Sequence, residues 1–319
     1  MNAGEGRPIR FSVIMPTFDR TDVLERTLRA YLALAPMDET EILVVDDGSG
    51  GRTATLLASI AAGAGGRLRT WRQVNAGPGA ARNRALREAR GEFVLFAGDD
   101  VIPAPGLLEA HAAAHARWGG AVDGARAEIA VLGRIRWHAD LPVTPFMRWL
   151  EESGTQFAFG RVASGDLLPP TMFYTSNLSI RRAVLPPQPV FDERFRHACW
   201  EDVDLGIRLA RAGVRLRFAP EAEAWHWHPT DLALARERAE RVGYYRALLE
   251  KKHGIRSPRR RAWSERLKRA VAPLLRSIPV EGVRGLGFRW SLAWQDFLGE
   301  ERFRASLPKR GSAPRGAEG

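Results

Sequence analysis

Residues 91–100 constrain the fold of this chain more than any other segment. Phe93 to Ala97 are five consecutive apolar residues, and two carboxylates, Asp99 and Asp100, follow after a single glycine. Such a run predicts a strand that is buried on both faces. Two ionised carboxylates at its end are costly to bury without a positive partner. The segment therefore predicts a bound cation, Mg²⁺ or Mn²⁺ by their preference for oxygen ligands, unless the pair is an exposed Asp-Asp turn.

Strands of this kind alternate with helices over the first hundred residues. Apolar runs predict strands at residues 10–15, 41–46 and 93–97, and a further short strand is predicted at residues 68–72. Helical spacing and helix-start residues predict helices at residues 22–35, 53–62 and 80–89. The alternation predicts an α/β fold, a Rossmann-like, doubly wound and mostly parallel sheet, whose ligands bind at the carboxyl ends of its strands. At these ends lie Pro16, Thr17, Asp46, Asp47, Asp99 and Asp100.

A glycine-rich segment, Gly77-Pro78-Gly79, opens the third predicted helix. The unpaired N–H groups and the positive dipole of a helix N-terminus suit a phosphate group. Arg82 and Arg84 lie in the first turns of this helix, and a guanidinium can hold a diphosphate or a base.

The charge is divided sharply along the chain. Residues 1–228 hold 27 Lys and Arg against 27 Asp and Glu, whereas residues 229–319 hold 21 against 10, so the net charge of +11 lies wholly in the second part. We therefore predict a catalytic domain over residues 1–228 and a basic, amphipathic helical extension over residues 229–307. Residues 308–319 are predicted to be disordered.

The same features bear on location and partners. Cys199 is the single cysteine, the first ten residues have no signal-peptide pattern, and no apolar run reaches the roughly 18–20 residues of a membrane span. We expect a cytoplasmic protein whose basic, tryptophan-bearing extension contacts an anionic membrane surface at the inner face of the cell membrane. Solvated helices are the plain alternative, and nucleic-acid binding lacks a recognisable motif.

Four motifs, in order, resemble those of glycosyltransferase family 2, whose members have the GT-A fold. They are Val13-Ile14-Met15-Pro16-Thr17-Phe18-Asp19-Arg20, Val44-Val45-Asp46-Asp47-Gly48-Ser49, Asn75-x-Gly77-Pro78-Gly79-x-Ala81-Arg82-Asn83 and Phe96-x-Gly98-Asp99-Asp100. The resemblance implies a nucleotide-sugar half over about residues 9–103 and an acceptor half over about residues 104–228. It also implies transfer from a nucleotide-diphosphate sugar by a metal-assisted, inverting single displacement.

The resemblance assigns the donor and metal residues. The implied donor contacts are Pro16, Thr17, Asp19, Asp46, Asp47, Asn75, Gly77, Arg82 and Asp99, and a UDP-sugar is the favoured donor. Asp99 and Asp100 match the motif for Mg²⁺ or Mn²⁺, with Asp100 the expected direct ligand. Gly98 stands where the family often has an acidic residue, so the motif is shortened. An ordinary turn is the alternative for residues 46–49.

A second acidic pair, Glu201-Asp202, resembles the catalytic motif of the family. The sequence predicts a helix over residues 201–211 with both carboxylates at its N-terminus, where the dipole favours their ionised form. The resemblance implies that Asp202 is the general base and that Glu201 orients it or binds the acceptor. The alternative is an acidic pair that serves only the helix.

Further residues are expected around the acceptor. Ser176, Asn177 and Trp200 are the implied acceptor contacts, although residues 174–179 also fit a plain edge strand. Trp200 directly precedes the acidic pair.

Two pairs of histidines have metal-ligand spacing. His226 and His228 share one face of an extended segment, and the resemblance implies a metal or diphosphate contact there; a structural strand is an equal alternative. His111 and His115 are spaced to share a metal on one helix face, but the surrounding alanines favour a helix at the solvent edge.

We therefore expect a glycosyltransferase that moves a sugar to a hydroxyl of a glycan or lipid-linked acceptor, as in cell-envelope polysaccharide synthesis. A nucleotidyltransferase would need a glycine-rich, basic N-terminal loop, which residues 16–19 do not provide. A degenerate member that binds sugar or scaffolds a partner remains the alternative. Gly98 favours it, whereas Arg82, Asp100 and Asp202 favour an enzyme.

Overall fold

The computed structural model describes residues 9–34, 39–119, 121–122, 125–126, 128–157, 159–160, 162–255 and 286–307. The chain divides into two compact units, Met1–Pro229 and Thr230–Gly319. The division of function between a catalytic domain and a basic extension stays a prediction.

The first unit is built on a nine-stranded sheet. Its strands are β1 (Phe11–Thr17), β2 (Thr40–Asp46), β3 (Leu68–Arg72), β4 (Phe93–Ala97), β5 (Val101–Pro103), β8 (Ile129–Trp137), β9 (Leu167–Leu168), β10 (Asn177–Arg181) and β11 (Arg215–His226). Two short strands, β6 (Ala121–Val122) and β7 (Ala125–Arg126), pair only with each other in the described part of the chain. The order is β3-β2-β1-β4-β10-β8-β11-β5, with β9 beside β11.

The pairing of the strands fixes where their ends lie. Strands β1 to β4 are joined in parallel, as is the pair β8 and β11, whereas β10 runs antiparallel to both β4 and β8. The carboxyl ends of β1, β2 and β4 therefore meet at one edge of the sheet, and the predicted α/β class is confirmed.

Six helices of the described residues accompany the sheet. They are α1 (Thr21–Ala33), α2 (Gly51–Gly63), α3 (Pro78–Glu88), α4 (Leu107–Trp118), α5 (Pro145–Glu152) and α6 (Glu201–Arg211). Helix α3 begins with Pro78, where the missing N–H has no helical partner to lose. Helix α5 is capped by Thr144, whose hydroxyl accepts from the backbone N–H of Met147 at 3.2 Å.

Two apolar layers lie on opposite faces of the sheet. Alternate residues of the strands enter different clusters: Val13 and Leu95 pack in one, and Ile14 and Phe96 in the other. The uninterrupted apolar runs of the sequence are explained by this burial on both faces. The polar residues that end the same strands stand at the rim of a rigid core.

Strand β10 lies in the middle of the sheet, so the edge-strand interpretation of residues 174–179 is wrong. Asn177 is fully buried, and its amide nitrogen donates to the carbonyls of Ala222 at 2.8 Å and Arg134 at 3.2 Å. The expected acceptor contact of Asn177 is therefore corrected, because its side chain is committed inside the sheet. Ala222 lies where the pairing of β11 with β8 is irregular, between Ala219 and Glu223.

The two histidines of α4 are buried, which corrects the prediction of a solvent-edge helix. His111 hydrogen-bonds through Nε2 to Asn177 Oδ1 at 2.9 Å and through Nδ1 to Ser179 Oγ at 2.8 Å. His115 Nε2 hydrogen-bonds to the same serine hydroxyl at 2.8 Å. Burial lowers the pKa of His111 to about 4 and that of His115 to about 3. Both rings are therefore neutral in the fold and tie α4 to β10.

The second unit contains α7 (Leu232–His253) and α8 (Leu286–Ala305). These helices approach closely at two glycines: a Cβ on Gly243 would lie 1.8 Å from the Asp296 carbonyl oxygen, and one on Gly299 would lie 1.8 Å from the Glu240 carbonyl oxygen. Arg246 then joins the helices through Asp296 at 2.8 Å and Glu300 at 3.0 Å.

Much of the predicted basic extension lies outside the described residues. This applies to residues 256–285, with the arginine cluster at 256–261, and to the tail at 308–319. None of the helices that are described combines the length and apolarity needed to cross a membrane.

Candidate functional site

The first acidic pair follows β4 at the edge where the parallel strands end. Asp99 and Asp100 are each 7% exposed. Thr17, the last residue of β1, donates its hydroxyl to Asp99 Oδ2 at 2.7 Å. The pairing of β5 with β11 sets His226 opposite Val101, which brings the imidazole beside Asp100. Two distant strands thus supply the partners of one dipeptide.

Three nitrogen-bearing side chains converge on Asp100 Oδ2. His226 Nε2 lies 3.3 Å from it, His228 Nδ1 lies 3.6 Å from it, and Arg20 donates to it directly. Arg20 Nη1 also lies 3.5 Å from Asp99 Oδ1. The pair is therefore a buried anionic centre enclosed by cationic or protonatable groups.

The two carboxyls of this pair differ in ionisation. Burial opposes the charged form of Asp100, but His226, Arg20 and His228 together hold its pKa well below the usual range. Burial, and then the charge of Asp100, raise the pKa of Asp99 to about 6. Asp100 therefore keeps its charge at mildly acidic pH, where Asp99 becomes protonated.

The histidine segment packs among aromatic rings, as its structural interpretation predicts, and its contact with a metal or diphosphate stays a prediction. The ring of His226 stacks with Trp137 at 5.2 Å and with His228 at 5.4 Å between centroids, and Phe157 meets it edge-on at 5.3 Å. Gln156 Nε2 lies 3.4 Å from His226 Nδ1. Aromatic packing therefore holds an imidazole against the acidic pair.

The shortened acidic motif has a steric reason. A Cβ on Gly98 would lie 2.9 Å from Val101 Cγ2 and 3.0 Å from Asp100 Oδ1. An aspartate at this position would require the neighbouring side chains to move.

The acidic pair has a donor set that suits a hard divalent cation. The described residues contain no group of three or more His, Cys, Asp or Glu arranged to hold a metal ion. Mg²⁺, however, is commonly held by one or two carboxylates and completed by substrate phosphates. Asp100, with Asp99 and the two histidines beside it, fits this partial type of site.

Asp47, for which the family resemblance implies a donor contact, holds the glycine-rich loop in place. Its Oδ1 accepts from Gln73 Nε2 at 2.8 Å and from the Ala76 N–H at 2.9 Å, and its Oδ2 accepts from the Gly77 N–H at 2.8 Å. These three bonds use both carboxylate oxygens. A donor contact by Asp47 stays a prediction, but these bonds leave its carboxylate little capacity for a ligand.

Asp46 has one oxygen that remains available. Its Oδ1 accepts from the Ser49 N–H at 2.8 Å, whereas Oδ2 is buried without a hydrogen-bond partner among the described residues. Arg72 Nε lies 3.6 Å from this oxygen. Since buried polar atoms normally find partners, Asp46 Oδ2 is a candidate ligand-binding atom.

Other predicted donor residues shape the same edge. Asp19 has a left-handed backbone with φ of 51°, and its Oδ1 accepts from the Gly50 N–H at 2.9 Å. Pro16 is half-buried in β1, and Asn75 is exposed. Gly77 has φ of +94°, and a Cβ there would lie 2.5 Å from the Arg196 carbonyl oxygen, so only glycine fits.

The second acidic pair lies at the start of α6. Arg82 Nη1 donates to Glu201 Oε1 at 2.8 Å, and both residues are buried. Arg82 is therefore paired with Glu201, and its expected contact with the diphosphate or the base stays a prediction. Arg82 Nε and Glu201 Oε2 each lack a hydrogen-bond partner within the described chain.

Asp202 is poised near neutrality. Desolvation and the charge of Glu201 raise its pKa to about 7, against the opposing effect of Arg82. The expected lowering by the helix dipole is thus outweighed. Its Oδ1 accepts from the Val203 N–H at 2.8 Å, and Trp200, which precedes the pair, has a left-handed φ of 70°.

A single dipeptide links the two acidic pairs. The backbone N–H of Thr175 hydrogen-bonds to Asp202, and the carbonyl of Ser176 accepts from the Gly98 N–H at 3.2 Å. Ser176 and Trp200 are partly exposed, as acceptor contacts must be. The end of β4 and the start of α6 therefore border one site.

Two residues of this site were not predicted. Arg20 closes the Pro-Thr-Phe-Asp-Arg motif, and that position was the signal available for it. Thr175 contributes a backbone N–H, which leaves no trace in the residue type.

Comparison with known families agrees with the geometry. The family model described as Glycosyl transferase family 2 matches residues 12–180, and that of Glycosyl transferase family group 2 matches residues 98–298. The chain belongs to glycosyltransferase family 2 and is a glycosyltransferase.

Individual relatives show the extent of the likeness. The chain is 25% identical over 286 residues to the uncharacterized glycosyltransferase YfnE from Bacillus subtilis, covering 78% of this chain and 72% of that protein. A stretch of 106 residues is 34% identical to poly(ribitol-phosphate) beta-N-acetylglucosaminyltransferase TarS from Staphylococcus aureus, covering 33% of this chain and 18% of TarS.

Solved structures establish the GT-A fold. TarS 1–349 in complex with UDP-GlcNAc has a TM-score of 0.54 at 17% identity, covering 95% of this chain and 93% of that one. The mannosyltransferase PcManGT from Pyrobaculum calidifontis, in complex with GDP-Man and Mn²⁺, has a TM-score of 0.56 at 20% identity. The match covers 95% of this chain and 79% of PcManGT.

Proposed function

We propose that this glycosyltransferase moves a sugar from a nucleotide-diphosphate donor to a hydroxyl of a glycan or lipid-linked acceptor by an inverting single displacement. The observation that carries the proposal is the link between two acidic pairs through Thr175 and Ser176. One pair suits a diphosphate with its cation, and the other suits a general base. UDP-sugars are the favoured donors, because TarS, which is 34% identical to this chain over 106 residues, is seen in complex with UDP-GlcNAc. The complex of PcManGT with GDP-Man makes GDP-sugars the alternative.

The donor is proposed to bind across the ends of β1 and β2. Thr17 lies opposite Asp46 in the register of these strands. Asp46 Oδ2, which accepts no hydrogen bond from the described residues, is available to a base or ribose. Pro16, Asn75 and the N-terminus of α3 border the same crevice, and that helix end favours negative charge.

Mg²⁺ or Mn²⁺ is proposed to bind Asp100, with Asp99 and one of the histidines beside it. The bound metal would offset the charge that develops on the leaving diphosphate. The rings of Trp137 and Phe157 hold His226 in place, so it could contact the metal without a change of conformation. Thr17 orients Asp99 through its hydroxyl.

Asp202 is proposed to take the proton from the acceptor hydroxyl. A base works best with a pKa near the operating pH, and that of Asp202 is about 7. As the acceptor oxygen forms its bond to the anomeric carbon, the bond to the diphosphate breaks and the pair of electrons leaves with it. The Arg82–Glu201 pair positions the base, while Ser176 and Trp200 border the acceptor.

A degenerate, sugar-binding scaffold is the rival function. A scaffold needs no base, whereas the desolvation that raises the pKa of Asp202 is typical of catalytic groups. This feature favours an enzyme.

The basic extension is proposed to hold the protein at the cytoplasmic, anionic face of a membrane, where lipid-linked acceptors reside. The four lysines of the chain and its whole excess of positive charge support this proposal. Co-sedimentation with vesicles should occur with anionic lipid and should be absent with zwitterionic lipid alone; equal recovery with both would contradict it.

Calorimetric titration with UDP, dTDP and GDP, each with and without Mn²⁺, tests the donor site. Binding of one nucleotide that depends on Mn²⁺ and is lost in Asp100→Ala is the expected result. Asp22→Ala, at an exposed carboxylate near the start of α1, is the matched control and should bind as the wild type does. Absence of binding by every nucleotide would favour the scaffold.

A further inference from the structure

Arg20 covers the first acidic pair from the solvent side. It precedes α1 and donates to Asp100 Oδ2, and its Nη1 lies 3.5 Å from Asp99 Oδ1. The side chain of Arg20 is 38% exposed, whereas those of Asp99 and Asp100 are 10% and 9% exposed. A partly exposed cation therefore rests on two buried anions.

The acidic pair needs a permanent positive charge. Adjacent buried carboxylates repel each other and are desolvated together, so an uncompensated pair is strongly destabilising. His226 and His228 reach Asp100 Oδ2 but carry a charge only when protonated. A guanidinium is charged at every pH of interest, so Arg20 is the constant partner.

A divalent cation would use the same oxygen. Asp100 Oδ2 receives Arg20 and both histidines, and it is the oxygen at which a metal would be held under the proposed function. Two positive ions on one carboxylate oxygen repel each other at short range. Arg20 and a metal therefore exclude each other at Asp100, and exposure of its side chain lets Arg20 withdraw.

We propose that Arg20 is an internal counter-cation that competes with the divalent metal for Asp100 and thereby couples metal binding to nucleotide binding. The inference rests on the proposed function only in taking Asp100 as the metal ligand. In the free protein, Arg20 satisfies the carboxylates and weakens metal binding. A nucleoside diphosphate brings further negative charge, so Arg20 can leave Asp100 for the diphosphate while the metal takes its place at Asp100.

The test is titration of free Mn²⁺, followed by the electron paramagnetic resonance signal of the unbound ion, with and without UDP. Arg20→Ala should bind Mn²⁺ alone about tenfold or more tightly than the wild type, as expected from loss of a neighbouring positive charge. The enhancement of Mn²⁺ binding by UDP should shrink in the same variant.

Two further variants make the result specific. Arg20→Lys retains the charge and should stay close to the wild type in Mn²⁺ affinity. Arg29→Ala removes an arginine of α1 that pairs with Glu25 on the surface, and it should also match the wild type. Circular dichroism of each variant establishes that it is folded.

The inference is overturned if Arg20→Ala binds Mn²⁺ no more tightly than the wild type, or does not bind it at all. Binding of UDP measured in the absence of metal separates this outcome from failure of the proposed function. Loss of the Arg20 effect with UDP binding intact would reject only the role of Arg20. Absence of nucleotide binding under every condition would reject the donor site itself.

Discussion

Asp99 and Asp100 are chemically identical neighbours that the fold makes different. Asp100 receives Arg20 and two histidines, whereas Asp99 receives the Thr17 hydroxyl and a more distant guanidinium. The partners of Asp100 hold its pKa low, whereas burial and the charge of Asp100 outweigh the partners of Asp99 and raise the pKa of Asp99. The difference between these adjacent carboxyls therefore follows from partners that lie in or directly after β1 and β11.

Arg82 is expected to tune the base through electrostatics. Its charge lowers the pKa of Asp202, so Arg82→Met should raise that pKa above about 7. The rise of kcat/KM with increasing pH should then shift to higher pH, because Asp202 must be ionised to accept a proton. The pH profile of donor turnover measures this shift.

Controls separate charge from packing in the Arg82 variant. Arg87→Met alters an exposed arginine of the same helix and should leave the profile in place. Arg82→Lys keeps the charge and should restore most of the original profile. A profile for Arg82→Met that coincides with the wild type would rule out this role.

Replacing Gly98 with a larger residue, including the aspartate of the longer acidic motif, is expected to destabilise the fold. Gly98→Ala should lower the free energy of unfolding by about 1–3 kcal/mol through overpacking against Val101. Gly98→Asp should lower the free energy of unfolding by at least as much, and it should not bind Mn²⁺ more tightly than the wild type. Thermal unfolding and Mn²⁺ titration test both statements, and a tighter, equally stable Gly98→Asp variant would refute the steric account.

Among the helices and strands, local sequence patterns predicted those features that depend on residues close together in the chain. The apolar run before Asp99 is explained by burial on both faces of β4, and α6 covers Glu201–Arg211, the residues predicted for it. Contacts between distant segments were not predictable. Arg82 meets Glu201 across 119 positions, and His111 meets Asn177 across 66. These pairings depend on the topology of the fold, which the sequence patterns do not give. Without the topology, the spacing of His111 resembled that of a metal site and Asn177 resembled an acceptor contact, although the two residues hydrogen-bond to each other in the core.

The network between α4 and β10 should make stability depend on pH. The pKa of His111 is about 4 in the fold and about 6.5 when unfolded, so the unfolded chain binds more protons between these values. The stabilisation is present above about pH 6.5 and declines as the pH falls toward 4, by roughly 1.4 kcal/mol per pH unit for each such group.

Denaturant unfolding from pH 7 to pH 4.5 measures this dependence. His111→Gln should flatten the slope relative to the wild type, and His115→Gln should do the same if the first variant does not fold. Parallel curves for the wild type and for a folded variant would contradict the assignment of these histidines.

At the scale of the whole molecule, one sheet brings together two acidic pairs that are a hundred residues apart in sequence. The family and the α/β fold were predictable, because four ordered motifs mark the ends of successive strands. The hydrogen bonds that Asp47, Arg82 and Asn177 make within the protein were not predictable, because each of these residue types can equally well bind a ligand.

The most direct test of the central claim is to compare Asp202→Asn with the wild type. We expect Asp202→Asn to bind UDP and Mn²⁺ with unchanged affinity in calorimetry. Release of UDP from UDP-sugars, with water as the acceptor, should fall about 10²–10⁴-fold, the usual contribution of a general base. Unchanged turnover, or joint loss of nucleotide binding and turnover, would contradict the division of labour between the two acidic pairs.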